Sequence, residues 1–116
     1  MKKGYIYIDD NIFESLLAIS TNEQEKGLMG VEWPPPIMSF LYKEPKINKF
    51  WMHNTPSPLD IVFCNNGKVN QICKGIPFST EVIGDNTFSD IVIELPYGTC
   101  QKLGIKVNSS AGFIKK

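Results

Sequence analysis

Asn66-Gly67 is the feature that most narrows what this chain can become. It lies between two apolar runs, Leu59 to Cys64 and Lys68 to Ile76. Asn-Gly accepts the positive φ of a type I′ turn, and that turn matches the twist of paired strands. The pair therefore predicts an antiparallel hairpin. With Asn66-Gly67 as the central pair, simple counting sets Cys64 opposite Val69, Ile61 opposite Ile72 and Asp60 opposite Cys73.

Short strand-like runs recur along the rest of the chain. Gly4 to Ile8 alternates weakly. Ile12 to Ile19 reads as a strand, with Phe13, Leu17 and Ile19 at apolar positions. Thr21-Asn22-Glu23-Gln24 fits a capping box with Thr21 as N-cap, so a short helix follows and ends near Gly27 or Gly30. Trp33-Pro34-Pro35-Pro36 cannot continue a helix or enter a central strand, and reads as a stiff connector. Ile37 to Tyr42 is a strand, Lys43-Glu44-Pro45-Lys46 a turn, and Lys49 to His53 another strand. Pro77 to Asn86 is irregular, and Phe88 to Leu95 is a strand rich in β-branched residues. Tyr97 to Leu103 is a short helix stopped by Gly104, and Ala111 to Ile114 is a last strand. The expectation is one domain over residues 1–116, all-β, a jelly-roll-like sandwich or barrel with one or two short helices.

Charge and composition exclude several roles. Twelve acidic residues balance twelve basic ones, and every basic residue is lysine. No net field draws the chain to nucleic acid or to an anionic membrane, and no guanidinium fork is present to grip phosphate or guanine. Cys64, Cys73 and Cys100 are odd in number and lack the paired short spacing of a zinc site or a disulfide framework. No glycine-rich phosphate loop occurs, so neither a metal nor a cofactor is expected. The basic start Met1-Lys2-Lys3 is followed by Asp9-Asp10 rather than by an apolar core, and no apolar run is long enough to span a bilayer. The expected setting is cytoplasmic, with reduced thiols. Oligomeric state is not encoded in any readable motif.

The densest cluster of functional groups is Phe50-Trp51-Met52-His53-Asn54-Thr55-Pro56-Ser57-Pro58-Leu59-Asp60. A loop between rigid strands is where binding groups tend to sit. Trp51, His53, Asn54, Thr55 and Asp60 are the candidate ligand-binding residues. Strand alternation puts Phe50 and Trp51 on opposite faces, so one packs in the core and the other is left to floor a groove. Asp60 begins an apolar strand and needs hydrogen-bond partners. The Asn54 and Thr55 amides are its expected donors, which would make it a brace for the loop. Glu94, between Ile93 and Leu95, is expected to face solvent, so a carboxylate pair with Asp60 of the glycosidase kind is disfavoured.

Several segments occur in an order that resembles one known family. They are Gly27-Leu28-Met29, Ile37-Met38-Ser39-Phe40, Phe50-Trp51-Met52-His53-Asn54-Thr55, Pro58-Leu59-Asp60-Ile61-Val62-Phe63 and Ile93-Glu94-Leu95-Pro96-Tyr97-Gly98. Together they resemble the domain of unknown function 192 family, over nearly the whole chain. The resemblance implies a compact β-rich fold like a jelly roll, and it implies no reaction. His53 stands where that family usually has lysine, and the arginine that usually follows Gly-Leu-Met is replaced here by Gly30-Val31-Glu32.

Three functions compete. The leading one is a small ligand-binding module for a carbohydrate or another small polar molecule, with Trp51 beside the Asn54 to Asp60 loop. The second is a hydrolase or isomerase using Asp60, with or without His53. The third is a structural or interaction protein in which the motif only braces the fold.

Overall fold

Residues 1–115 are described in a computed structural model. The chain is all-β with two short helices. The strands are β1 (Lys2–Ile8), β2 (Asn11–Ala18), β3 (Met38–Ile47), β4 (Leu59–Asn65), β5 (Lys68–Gly75), β6 (Phe88–Pro96) and β7 (Ala111–Ile114). The helices are α1 (Thr21–Lys26) and α2 (Thr99–Leu103). All seven strands join one curled sheet in the order β5-β4-β6-β3-β2-β1-β7. The two ends of this sheet approach each other at one rim. There Val69 donates to the Ser109 carbonyl at 2.8 Å, and Ala111 donates to that of Gly67 at 3.0 Å.

All the neighbouring pairs are antiparallel except β2 with β3, where Leu16, Leu17 and Ala18 run alongside Met38, Ser39 and Phe40. A parallel pair needs a crossover, and α1 with the proline-bearing connector supplies it. The connector thus carries the chain over one face of the sheet, and that face is where the cleft described below lies.

Side chains of successive residues take opposite faces, and both faces of the central strands are covered. Ile6, Ile8, Val62, Cys64, Ile93, Leu95 and Cys100 pack in one cluster. Phe40, Met52, Leu59, Ile61, Phe63 and Val92 pack in the other. This is why β4 is buried from Leu59 through Cys64 without alternation.

Local details differ from the sequence expectation in four places. The N-cap of α1 is Ser20, one residue before Thr21. Its hydroxyl accepts from the Glu23 amide, and the Glu23 carboxylate accepts from the Ser20 and Ile19 amides. Gln24 instead donates to the Ala18 and Leu41 carbonyls, both at 3.1 Å, clipping α1 to the sheet. The hairpin keeps its Asn66-Gly67 turn, with φ of 50° and 80°, and Cys64 faces Val69. A bulge between Phe63 and Cys64 then slips the register, so Ile61 faces Cys73 and Asp60 faces Lys74. The expected turn at Lys43 to Lys46 is absorbed into β3, where the pairing with β6 is interrupted between Leu41 and Lys46. Finally, Lys49 to His53 is not a regular strand; it makes a single bridge, Phe50 with Ile83.

Candidate functional site

Residues 48–55 form an extended strip held by backbone and lysine contacts to residues 79–86. Phe50 and Ile83 exchange two hydrogen bonds of 2.9 and 2.8 Å, and Met52 donates to the Ser79 carbonyl at 3.0 Å. Lys49 donates to the Gly84 and Asp85 carbonyls and to the Asn86 side chain. The strip still alternates. Phe50 packs edge-on against Phe40 and Phe63, with ring centroids at 4.9 and 5.7 Å. Met52 is fully buried. Trp51 faces the other way, 51% exposed, and stacks on His53 with centroids 4.7 Å apart and planes at 28°.

This strip, α1 with the turn after it, and the middle of β3 enclose an open cleft of about 630 Å³. Its walls include Trp51, His53, Phe40, Tyr42, Gln24 and Glu94. That volume suits a small molecule, and the wall mixes aromatic and polar side chains.

The other candidates in the loop are committed to the fold. Thr55 lines the cleft but is buried, and its hydroxyl donates to the His53 carbonyl at 3.1 Å. Its carbonyl accepts from the Phe78 amide. Asn54 has φ of 52°, its carbonyl accepts from the Gly30 amide, and its side chain meets the His53 ring at 3.1 Å. Ser57 donates to the Val31 carbonyl. These bonds tie the strip to the crossover connector.

Asp60 is buried on the face opposite the cleft wall. Its carboxylate accepts from the Gly98 amide at 3.1 Å and the Cys100 amide at 2.9 Å, not from the Asn54 or Thr55 amides. It caps the first turn of α2, whose own N-cap residue, Gly98, has no side chain to do so. Asp60 is absent from the cleft.

Glu94 is the residue that reasoning from the sequence placed wrongly. It is 4% exposed rather than solvent-facing. Its cross-strand neighbours are Met38 on β3 and Ile61 on β4, both buried. Glu94 Oε1 is buried without a hydrogen-bond partner among the described residues. Burial pushes its carboxyl up to about 8, because the charged form loses hydration with nothing to replace it. Tyr42 is likewise pushed up, first by burial and then by the Glu94 carboxyl. Both groups therefore hold their protons at neutral pH. The signal that could have revealed Glu94 is the run Val92-Ile93-Glu94-Leu95: an acid inside a continuous apolar stretch of a strand that is buried on both faces.

Burial also raises the three thiols, with Cys64 and Cys100 up to about 12. They are free cysteines. Among the described residues, no three His, Cys, Asp or Glu side chains converge in a way that could hold a metal ion. No helix among them is long and apolar enough to cross a membrane.

Comparison with known proteins places this arrangement among uncharacterised relatives. A Novosphingobium aromaticivorans protein of unknown function has a similar structure, with TM-score 0.88 and 29% identity, over 95% of this chain and 84% of that one. A Sinorhizobium meliloti protein described as a "putative transcription regulator" is similar at TM-score 0.88 and 26% identity, over 97% of this chain and 94% of that one. No curated protein matches the chain. The sequence profile of the domain of unknown function 192, described as "Uncharacterized ACR", matches residues 6–113, and the chain belongs to that family.

Proposed function

We propose that this protein is a small ligand-binding module, with a carbohydrate or a similar small polar molecule held in the cleft between α1, β3 and residues 48–55. The observation that carries this reading is the exposed Trp51 ring, stacked on His53 at the edge of an aromatic-walled cleft. A tryptophan held flat by a neighbouring ring is a rigid surface, and little side-chain entropy is lost when a sugar ring packs on it.

The competing readings have less support. A hydrolase or isomerase built on Asp60 requires a carboxylate free to meet substrate, whereas Asp60 accepts from the main-chain amides of Gly98 and Cys100 at the start of α2. A DNA-reading role, as the description of the Sinorhizobium meliloti protein would suggest, needs a basic face. Zero net charge and a complete lack of arginine count against it.

The test is a thermal-shift and calorimetric screen of the protein and Trp51→Ala against neutral mono- and disaccharides. A sugar should raise the midpoint of the unaltered protein and fail to do so in the variant. The unliganded midpoints should agree, since Trp51 is half exposed. Equal affinity in the two proteins would rule out this site.

A further inference from the structure

Glu94 has no structural duty to explain it. Its Oε1 makes no hydrogen bond among the described residues, and the side chain sits between Met38 and Ile61 in a four-residue buried run. A buried polar atom without a partner destabilises a fold, so native structures rarely keep one. Asp60, by contrast, is bonded to two amides. The orphaned oxygen lies at the inner wall of the cleft, beneath the turn that ends α1. A Cβ built on Gly27 would come within 4.0 Å of Glu94 Oε1 and 3.5 Å of the Phe40 ring. The backbone of this turn therefore packs directly over the carboxyl, and Glu94 is part of the cleft lining beside it.

Resting on the reading of the cleft as a ligand site, we propose that Glu94 is its ligand-contacting group, and that the ligand is an uncharged polyhydroxylated molecule, a sugar or polyol, one of whose hydroxyls exchanges hydrogen bonds with the Glu94 carboxyl. The charged side chains along the cleft argue for an uncharged ligand. Lys26, Lys46 and Lys49 outnumber Glu25 there, which disfavours a cation. Lys46 lies over the Tyr42 ring at 5.0 Å and Lys49 donates to residues 84–86, so two of the three ammonium groups already have partners on the protein rather than being left for an anion. A protonated carboxyl both donates and accepts, as a hydroxyl does, and the two satisfy each other without a net charge.

The experiment compares the unaltered protein with Glu94→Leu, Glu94→Gln and Trp51→Ala. The probes are glucose, xylose, N-acetylglucosamine, myo-inositol, putrescine and glucuronate, read by thermal shift and calorimetry. At least one neutral sugar or polyol should bind the unaltered protein. Glu94→Leu should weaken it tenfold or more while melting no lower than the unaltered protein, because the orphaned oxygen is gone. Glu94→Gln, which keeps a donor and an acceptor, should bind within a few-fold. If Trp51→Ala loses the sugar while Glu94→Leu keeps it, the cleft remains a ligand site and Glu94 is not its contact. A shift with putrescine or glucuronate alone overturns the uncharged ligand. A fall of several degrees in the unliganded midpoint of both Glu94 variants makes the carboxyl a brace and overturns the assignment. If no sugar or polyol shifts the unaltered protein, both readings fall.

Discussion

Removing the Asp60 carboxylate should cost this small domain a large part of its stability while leaving the cleft unchanged. The Asp60 oxygen accepts two amide hydrogens, at 3.1 Å from Gly98 and 2.9 Å from Cys100. In Asp60→Ala the Cys100 amide is orphaned in a buried site, which costs up to about 3 kcal/mol. The Gly98 amide is nearer the surface, recovers a bond to water and contributes about 1 kcal/mol. The expected loss is therefore about 3–4 kcal/mol. Unfolding entropy of about 2.1 cal/mol/K per residue converts this to a fall in Tm of roughly 12–17 °C for a chain of this length. Asp60→Asn keeps an acceptor of the same shape and loses only the charge, so about 1–2 kcal/mol should go. Urea denaturation gives the free energies. Hydrogen exchange supplies the local check, because the Gly98 and Cys100 amides should lose protection before the sheet does. A change below about 1 kcal/mol in Asp60→Ala, well under a typical buried charge-assisted bond, would refute the capping argument. Lost ligand binding in Asp60→Asn at an unchanged midpoint would return Asp60 to the site.

Glu94 sets a pH dependence of the opposite kind from an ordinary carboxylate. Its proton is held up to about 8 in the fold against 4.5 in the unfolded chain, so the folded state binds the proton more tightly. Stability is then full below pH 4.5 and falls as pH rises towards 8, with a limiting slope of about 1.4 kcal/mol per pH unit. Urea midpoints measured at pH 5 and pH 8 should diverge in the unaltered protein and converge in Glu94→Gln, and parallel profiles would contradict the buried-acid reading. At α1, Ser20→Ala should cost about 1 kcal/mol through loss of the cap, with Thr21→Ala close to neutral. Equal losses in the two variants, measured by the same denaturation, would mean that the Ser20 cap does not set the start of the helix.

How much was legible in the sequence depended on whether the deciding contact was local. Ala111 to Ile114 forms a strand with the expected bounds, and Asn66-Gly67 makes the expected turn. The cap of α1 lies one residue before the expected Thr21, because Ser20 with Glu23 satisfies the same capping pattern as Thr21 with Gln24. What separates them is remote: Gln24 is taken by the carbonyls of Ala18 and Leu41. The hairpin register failed for a similar reason, since a bulge inserts a residue that no turn rule announces. Trp51 and Phe50 could be placed on opposite sides by alternation, but which of them met the core depended on Phe40 and Phe63, which lie on other strands.

Glu94 shows the limit of alternation most clearly. The rule correctly puts it on the face opposite Ile93 and Leu95, but says nothing of whether that face meets water. Its burial follows from topology: β6 lies between β4 and β3, and the crossover after β2 brings α1 and its turn over the same side. Alternation assigns a residue to a face, whereas only the strand order says what covers that face. An acid in an unbroken apolar run is the one local trace of such a position. A solvent-facing carboxylate on a half-exposed strand would more commonly be flanked by other polar residues on its own face. At Glu94 the same-face neighbour two residues back is Val92, fully buried with Phe40 and Phe63. The Val92-to-Glu94 step is therefore where the core on this face gives way to the cleft that Glu94 lines, and the proposed ligand hydroxyl is what would partner the carboxyl at that boundary.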